Sequence, residues 1–263
     1  MSAARAQTGG VVLTLMTFNV LWRNPRYGGL AASIAAETPD VVALQEPGAE
    51  AAAHLTASLL TSFPYRAFQP ECDPSGIGVM SCYPLREVEA FRLSADGHWC
   101  QRMLLELPGG PVTLFNIHTR IPHLRWSIQQ VCRRALPLTY DTSRRHREVE
   151  SLVGMLDAVR GPCLVMGDFN LTDRSPEYRL LSSRVSDTYA QVGKGRGGTF
   201  PAPGSFPHNF PAPGPILRLD YIWHSREIRP RSAHLGRSAG SDHRPVVARL
   251  ELEAGHAGPG GLR

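Results

Sequence analysis

The sequence predicts an α/β fold of the α+β type, a sandwich of two mixed, largely antiparallel sheets flanked by helices. The chain opens with a strand, a helix, a second strand and a second helix. Its middle then changes to short apolar runs at hairpin spacing. Val41 to Leu44 and Cys163 to Met166 are apolar throughout, so as strands they must be covered on both faces. Two facing sheets with helices outside them give that cover.

The first sixty residues alternate strands and helices. A β-rich run covers Val11 to Val20, and apolar residues at helical spacing follow it as far as Glu37, where Pro39 stops the helix. The short strand Val41 to Leu44 and a helix from Ala49 to Leu60 come next. This order is the α/β part of the prediction.

Four short runs in the middle of the chain predict antiparallel strands. They are Gly76 to Cys82, Glu87 to Leu93, Gln101 to Leu107 and Val112 to His118. A Pro-Gly-Gly-Pro turn at 108–111 separates the last two, which is typical of a hairpin. In the last run, alternation puts Asn116 and His118 on one face of the strand and Phe115 and Ile117 on the other.

The second half contains a polar stretch, a helix and four more strands. The stretch from Thr119 to Tyr140 is Arg-rich and irregular, and long irregular segments are often functional or mobile. A helix is expected from Ser143 to Val159, and Gly193 to Pro215 is expected to be a loop. The expected strands are Cys163 to Met166, Leu217 to Trp223, Ile228 to His234 and Val246 to Leu252.

Length and composition favour one domain, which we expect to span 11–253, with disordered tails at 1–10 and 254–263. No run approaches the roughly 18 apolar residues of a membrane helix, and the first ten residues lack the apolar segment of a secretory signal. Five cysteines without C-x-x-C spacing favour a reducing compartment. We therefore expect a cytoplasmic monomer without stable membrane insertion.

The positive charge leaves the partner open. A net charge of +5 and a pI near 9.2 favour a polyanion such as nucleic acid. However, only Lys194 among the 28 basic residues is a lysine, and the chain is rich in Ala, Gly and Pro. That composition indicates a bias toward GC-rich codons as much as selection for charge.

Polar residues at the ends of apolar runs form the main functional signal. They are Asn19, Glu46, His118, Asp168 with Asn170, Asp220, and the triplet Ser241-Asp242-His243. All of these except Asp220 have a structural alternative: a turn former at Asn19, a solvated strand-end acid at Glu46, a structural histidine at His118, an Asx-turn or helix cap at Asp168, and an ordinary loop at 241–243.

Together these residues predict a cation site. The four acids are Glu46, Asp168, Asp220 and Asp242. If they converge, the electrostatic repulsion within each pair of carboxylates about 4 Å apart costs about 4 kcal/mol at an effective dielectric constant near 20. A divalent cation relieves that repulsion. Oxygen ligands suit Mg²⁺ or Mn²⁺, and the cysteine and histidine spacing of a structural zinc site is absent from the sequence.

The same segments, in the same order from residue 17 to residue 243, resemble the motifs of the endonuclease/exonuclease/phosphatase superfamily. This group includes deoxyribonuclease-I-like enzymes, apurinic endonucleases, sphingomyelinases and inositol-polyphosphate 5-phosphatases. The motif segments are Thr17-Phe18-Asn19, Gln45-Glu46, Asn116-Ile117-His118, Gly167-Asp168-Phe169-Asn170, Arg218-Leu219-Asp220-Tyr221-Ile222 and Ser241-Asp242-His243. The resemblance implies a four-layer αββα sandwich and a metal-dependent phosphodiesterase, phosphatase or nuclease.

The resemblance also implies a role for each site residue. Glu46 would be the principal metal ligand, with Asn19 and Asp242 helping to hold the metal. Asp168 would align or deprotonate the attacking water, and Asn170 would contact the phosphate. His243, polarised by Asp220, would donate to a phosphoryl oxygen, and His118 would bind another.

The sequence leaves the substrate open between nucleic acid and a phospholipid or phosphoinositide head group. The Asn-Ile-His motif at 116–118 is more similar to the sphingomyelinase and general hydrolase branches than to apurinic endonucleases. Arg120 and Trp126, with Arg125, Arg133 and Arg134, are candidates for substrate recognition, or else part of an ordinary solvated loop. The Gly-rich run at 193–198 lacks the ending of a P-loop and favours a flexible linker.

A catalytically silent phosphate-binding module of the same fold is the alternative to an enzyme. Such a module should have lost a central catalytic residue. Glu46, Asp168 and His243 are all present, so an active hydrolase is favoured.

Overall fold

The structure is a computed structural model that describes residues 10–126, 138–203 and 215–252, without the side chains of 123–126 and 138–140. The helices are α1 (Tyr27–Glu37), α2 (Ala49–Ser58), α3 (Ser143–Ala158), α4 (Pro176–Ser182) and α5 (Thr188–Val192). The strands are β1 (Val11–Asn19), β2 (Val41–Gln45), β3 (Tyr65–Gln69), β4 (Ile77–Ser81), β5 (Leu85–Arg92), β6 (Trp99–Leu107), β7 (Gly110–His118), β8 (His123–Trp126), β9 (Leu138–Asp141), β10 (Cys163–Asp168), β11 (Ser186–Asp187), β12 (Asp220–His224), β13 (Ile228–Leu235) and β14 (Val246–Leu252).

Two six-stranded sheets form the centre of the fold. Their strand orders are β13-β14-β1-β2-β4-β3 and β11-β12-β10-β7-β6-β5. One pair of named strands in each sheet is parallel, β1 with β2 and β7 with β10, and the other pairs are antiparallel. The predicted fold class, with mixed and largely antiparallel sheets, is confirmed.

Three apolar layers hold the sheets and helices together. Leu15 and Leu114 belong to the core between the sheets. Ile34 of α1 belongs to a second cluster outside the first sheet, and Leu152 of α3 to a third outside the second sheet. Because alternate residues of a strand face opposite sides, Phe115 joins the outer cluster while its neighbour Leu114 faces inward. The layers are therefore αββα, as predicted.

Strand register brings the predicted polar positions to one end of the sandwich. In the second sheet, Asp168 at the end of β10 is opposite both His118 and Asp220 on the strands beside it. In the first sheet, Asn19 is opposite Gln45 at the ends of the parallel strands β1 and β2. Glu46 follows directly, with a left-handed backbone (φ 62°).

The stretch predicted to be irregular contains regular structure at both of its ends. β8 and β9 pair as an antiparallel two-stranded ribbon, with His123 opposite Asp141 and Trp126 opposite Leu138. The expectation of an irregular segment was therefore wrong for these residues. Backbone hydrogen bonds are enough to pair two strands of this kind. Such a pair needs no alternation of apolar residues, so the sequence gives no periodic signal from which to predict it.

Other differences from the prediction are small. β3, β11 and α5 were not predicted, and β12 begins at Asp220 rather than at Leu217. None of the helices in the described residues is long and apolar enough to cross a membrane. Of the expected tails at 1–10 and 254–263, residues 1–9 and 254–263 lie outside the described residues, as do Arg133 and Arg134.

Candidate active site

The amide of Asn19 joins two buried carboxylates that come from different sheets. Its Nδ2 donates to Glu46 Oε1 at 2.9 Å and to Asp168 Oδ2 at 3.0 Å. Its Oδ1 accepts from the backbone N–H of Leu21 at 3.0 Å, and Glu46 Oε2 accepts from the N–H of Trp22 at 3.2 Å. Burial raises the pKa of Glu46. The turn after β1 thus fixes the Asn19 amide and the Glu46 end of this acid–amide–acid bridge.

A histidine held between two carboxylates lies beside that bridge. His243 Nδ1 is 2.8 Å from Asp220 Oδ2, and its Nε2 is 3.7 Å from Asp168 Oδ2. Burial lowers the pKa of His243, but Asp220 and Asp168 outweigh it and raise the pKa to about 10. The ring is therefore an imidazolium at neutral pH, oriented by Asp220.

The carboxyl of Asp168 titrates near neutral pH. Burial raises its pKa to about 7; the positive charge of His243 lowers it and the charge of Asp220 raises it. Its Oδ1 accepts from the backbone N–H of Asn170 at 2.9 Å. The Asx-turn considered as a structural alternative is thus present, and the same side chain also lies in the acidic cluster.

His118 is the second imidazole of the site, and its ring is stacked on His98. The two ring centroids are 4.1 Å apart with an interplanar angle of 26°. His118 Nε2 lies 3.8 Å from Asp168 Oδ2 and 4.0 Å from Glu46 Oε1. Burial lowers the pKa of His118 well below its ordinary value, and the charges of His98 and His243 lower it further. His118 is therefore a neutral ring beside an imidazolium.

The Ser241-Asp242-His243 triplet is tied to β1 by its serine. Ser241 Oγ donates to the carbonyl of Asn19 at 2.7 Å and accepts from the N–H of His243 at 3.0 Å. Asp242 is half-buried, and its negative charge contributes to the raised pKa of Glu46. The loop thus places an acid near Glu46 and an imidazole near Asp168.

A buried ion pair supports the turn at Asn170 from behind. The guanidinium of Arg145, on α3, donates to the Asn170 carbonyl and lies 3.5 Å from Glu177 Oε2 on α4. The side-chain amide of Asn170 donates to the carbonyl of Thr119 at 2.9 Å. Neither Arg145 nor Glu177 belongs to a sequence motif, and both were missed.

Gly167 allows β10 to approach β7 closely just before Asp168. A Cβ at this position would lie 1.9 Å from the carbonyl oxygen of Ile117, and the backbone has φ +150°. Larger residues are excluded by this contact. The glycine therefore sets the position of the Asp168 carboxylate relative to His118.

The donor set fits a hard divalent cation. Atoms of Asp168, Asp220 and His243 all lie within 4.8 Å of one another. However, His243 Nδ1 is hydrogen-bonded to Asp220, and the ring is an imidazolium with no free lone pair for a metal. Asp168, Asp220 and His243 are therefore better suited to proton transfer than to metal binding. Glu46, Asn19 and Asp242 remain the predicted ligands, and their oxygen atoms are of the kind that Mg²⁺ and Mn²⁺ prefer.

The predicted recognition residues differ in their surroundings. Arg120 Nη2 is 3.1 Å from Asp96 Oδ2 and its Nε is 4.0 Å from Glu148 Oε1, so its charge is already balanced. Trp126 ends β8, and its side chain is not among those described. A substrate contact by either residue stays a prediction.

Acids, amides and imidazoles buried at one end of an αββα sandwich are typical of a hydrolase of phosphate esters. The Endonuclease/Exonuclease/phosphatase family pattern matches residues 16–243. The chain therefore belongs to that family, as its motifs predicted, and is a hydrolase acting on phosphoester bonds. No relative was found among curated protein sequences.

Solved structures share the fold. An endonuclease/exonuclease/phosphatase from Beutenbergia cavernae is 23% identical with a TM-score of 0.67, over 92% of this chain and 72% of the other. One from Bacteroides vulgatus is 18% identical with a TM-score of 0.69, over 92% and 100%. D. rerio TDP2 complexed with a single-strand DNA product is 18% identical with a TM-score of 0.69, over 91% and 98%.

Proposed function

We propose that the protein is a Mg²⁺- or Mn²⁺-dependent phosphodiesterase that acts by in-line attack of water on phosphorus. The observation that carries the proposal is the imidazolium of His243, which is held by Asp220 and faces Asp168. Asp168 is one end of the acid–amide–acid bridge that Asn19 forms with Glu46. A general base with a pKa near neutral and an oriented cationic donor are the groups that general acid–base catalysis of this hydrolysis uses.

Each residue has a proposed task. Asp168, with a pKa of about 7, aligns the attacking water and accepts its proton as the ester bond from phosphorus to the leaving oxygen breaks, and that oxygen takes a proton from solvent. His243 donates from Nε2 to a phosphoryl oxygen, and Asp220 keeps the ring in the tautomer and orientation for this. His118 binds a second phosphoryl oxygen, and Asn170 contacts the phosphate.

The acidic end of the site would hold the cation. Glu46 is the principal ligand in this proposal, and Asn19 and Asp242 help to hold the ion and its waters. A divalent cation supplies stabilisation of the charge that spreads over the phosphoryl oxygens. The carboxylates of Glu46 and Asp168 lie close enough to share the Asn19 amide, so the ligand end and the proton-transfer end of the site are adjacent.

Nucleic acid is the proposed substrate class. A D. rerio TDP2 of the same fold has been described with a single-strand DNA product, which supports this choice. The positive net charge of the chain also favours a polyanionic substrate such as nucleic acid.

A substrate panel tests the proposal. Plasmid DNA, an abasic duplex, a single-stranded oligonucleotide, sphingomyelin, a phosphoinositide and bis(p-nitrophenyl) phosphate are incubated with the protein and Mg²⁺ or Mn²⁺. We expect hydrolysis of at least one nucleic acid, loss of activity in EDTA and in His243→Ala, and wild-type activity in Glu89→Gln, a change at an exposed acid of β5. Hydrolysis of lipids alone would change the substrate class, and inactivity throughout would contradict the assignment.

A further inference from the structure

Trp22 and Arg23 form an exposed aromatic–cation pair in the loop after β1. The guanidinium carbon of Arg23 lies 4.2 Å from the centroid of the Trp22 ring. Trp22 is partly exposed and Arg23 is exposed. Neither residue belongs to the catalytic cluster, and the sequence motifs did not single them out.

This pair is anchored to the acidic end of the site. The backbone N–H of Trp22 donates to Glu46 Oε2 at 3.2 Å, and the preceding N–H of Leu21 donates to Asn19 Oδ1 at 3.0 Å. Bond lengths along a tryptophan side chain keep its ring within about 10 Å of that carboxylate. In a nucleotide, the sugar separates the base from the phosphate by a comparable distance. A nucleotide whose phosphate lies at the acidic end of the site therefore has its base near the Trp22 ring.

The charge of Arg23 is available to a ligand. No carboxylate among the described residues lies within ion-pair distance of its guanidinium, whereas Arg120 contacts both Asp96 and Glu148. A planar cation lying on an indole presents its outer face to solvent and can stack against a second planar group.

We propose that Trp22 and Arg23 are a base-stacking subsite that makes the enzyme prefer a nucleic-acid strand over other phosphodiesters. The inference rests on the proposed phosphodiesterase function and names the part of the substrate, the nucleobase, that binds beside the catalytic residues. A lipid phosphodiester offers aliphatic chains and no flat π-face. The residues that follow, Asn24, Pro25 and Arg26, do not add the apolar patch that insertion into a lipid surface requires.

The test compares two single-stranded oligomers of equal length, oligothymidylate and the same sugar-phosphate chain without bases. Stacking of one base corresponds to roughly 5- to 150-fold in affinity, so the wild-type kcat/KM should favour oligothymidylate by a factor in that range. The preference should arise in KM. In Trp22→Ala the ratio should fall to about one, Trp22→Phe should recover most of it, and Arg23→Gln should lower it in part.

Tyr65→Ala is the matched control, because Tyr65 is an exposed aromatic residue on β3 at the edge of the first sheet and should leave the ratio unchanged. A wild-type ratio near one, or an unchanged ratio in Trp22→Ala, overturns the subsite while the phosphodiesterase stands. Equal losses on both oligomers in Trp22→Ala and Trp22→Phe assign the ring a structural role and also overturn it. If the wild-type protein cleaves neither oligomer nor any member of the substrate panel, the proposed function itself fails and the subsite fails with it.

Discussion

Replacing Arg145 by methionine should destabilise the protein and weaken the site together. Arg145 is 5% exposed and Glu177 is 1% exposed, so the substitution leaves a carboxylate buried without its main counter-charge. Removing one partner of such a pair costs about 3–5 kcal/mol of unfolding free energy. The same change removes the donor to the Asn170 carbonyl, which lies two residues from Asp168.

A double-mutant cycle measures this coupling. Urea unfolding is followed by circular dichroism for the wild type, Arg145→Met, Glu177→Gln and the double variant. The double variant should recover at least about 1 kcal/mol of the loss expected from adding the two single changes, because it leaves no unpaired charge. It should not recover activity, since the Asn170 carbonyl still lacks its donor. A loss below about 1 kcal/mol in Arg145→Met, or strictly additive losses, would refute the reasoning.

Three further predictions concern catalysis, backbone packing and pH. Asp220→Asn should lower kcat about 10²- to 10⁴-fold, because it removes the charge that orients His243; activity within threefold of wild type would contradict this. Gly167→Ala should cost about 2–4 kcal/mol in urea unfolding because its Cβ would meet a carbonyl of β7, whereas Gly154→Ala, with nothing within 4 Å, should be neutral or stabilising. Burial lowers the pKa of His224 from 6.5 to about 4, so the unfolded chain binds the proton first as pH falls. The unfolding free energy should be constant with respect to this group above pH 6.5 and fall by about 2 kcal/mol, allowing for solvent screening, as pH drops toward 4. An equally steep decline in His224→Phe would show that other groups are responsible.

The positions of the site residues could be predicted because most of them lie at or beside an end of a strand that is visible locally. Asp168 ends an apolar run, and His118 ends an alternating one, so their places at strand ends required no long-range information. The order of the motifs then indicated which ends meet. Glu46, Asp168 and His243 do converge, through the Asn19 amide and the short distances around Asp168.

The supporting residues could not be predicted, because only tertiary packing distinguishes them from their neighbours. Arg145 lies in the run Ser-Arg-Arg-His-Arg, where every basic residue has the pattern of a solvated helix face. In the fold, Arg145 is buried beneath the Asn170 turn while Arg144 reaches an exposed acid, Asp96. His98 is a lone histidine in the sequence, and it joins the site only because β6 and β7 bring its ring onto His118.

The most direct test of the central claim is the rate of phosphodiester hydrolysis as a function of Mg²⁺ or Mn²⁺ concentration. Wild type, Glu46→Gln and the exposed control Glu89→Gln are compared on one substrate that the wild type cleaves. We expect a saturating rise in rate for the wild type and the control, loss of that rise in Glu46→Gln, and no hydrolysis in EDTA. Hydrolysis that persists in EDTA, or a metal dependence that is the same in Glu46→Gln, would contradict a cation held at the Glu46 end of the site.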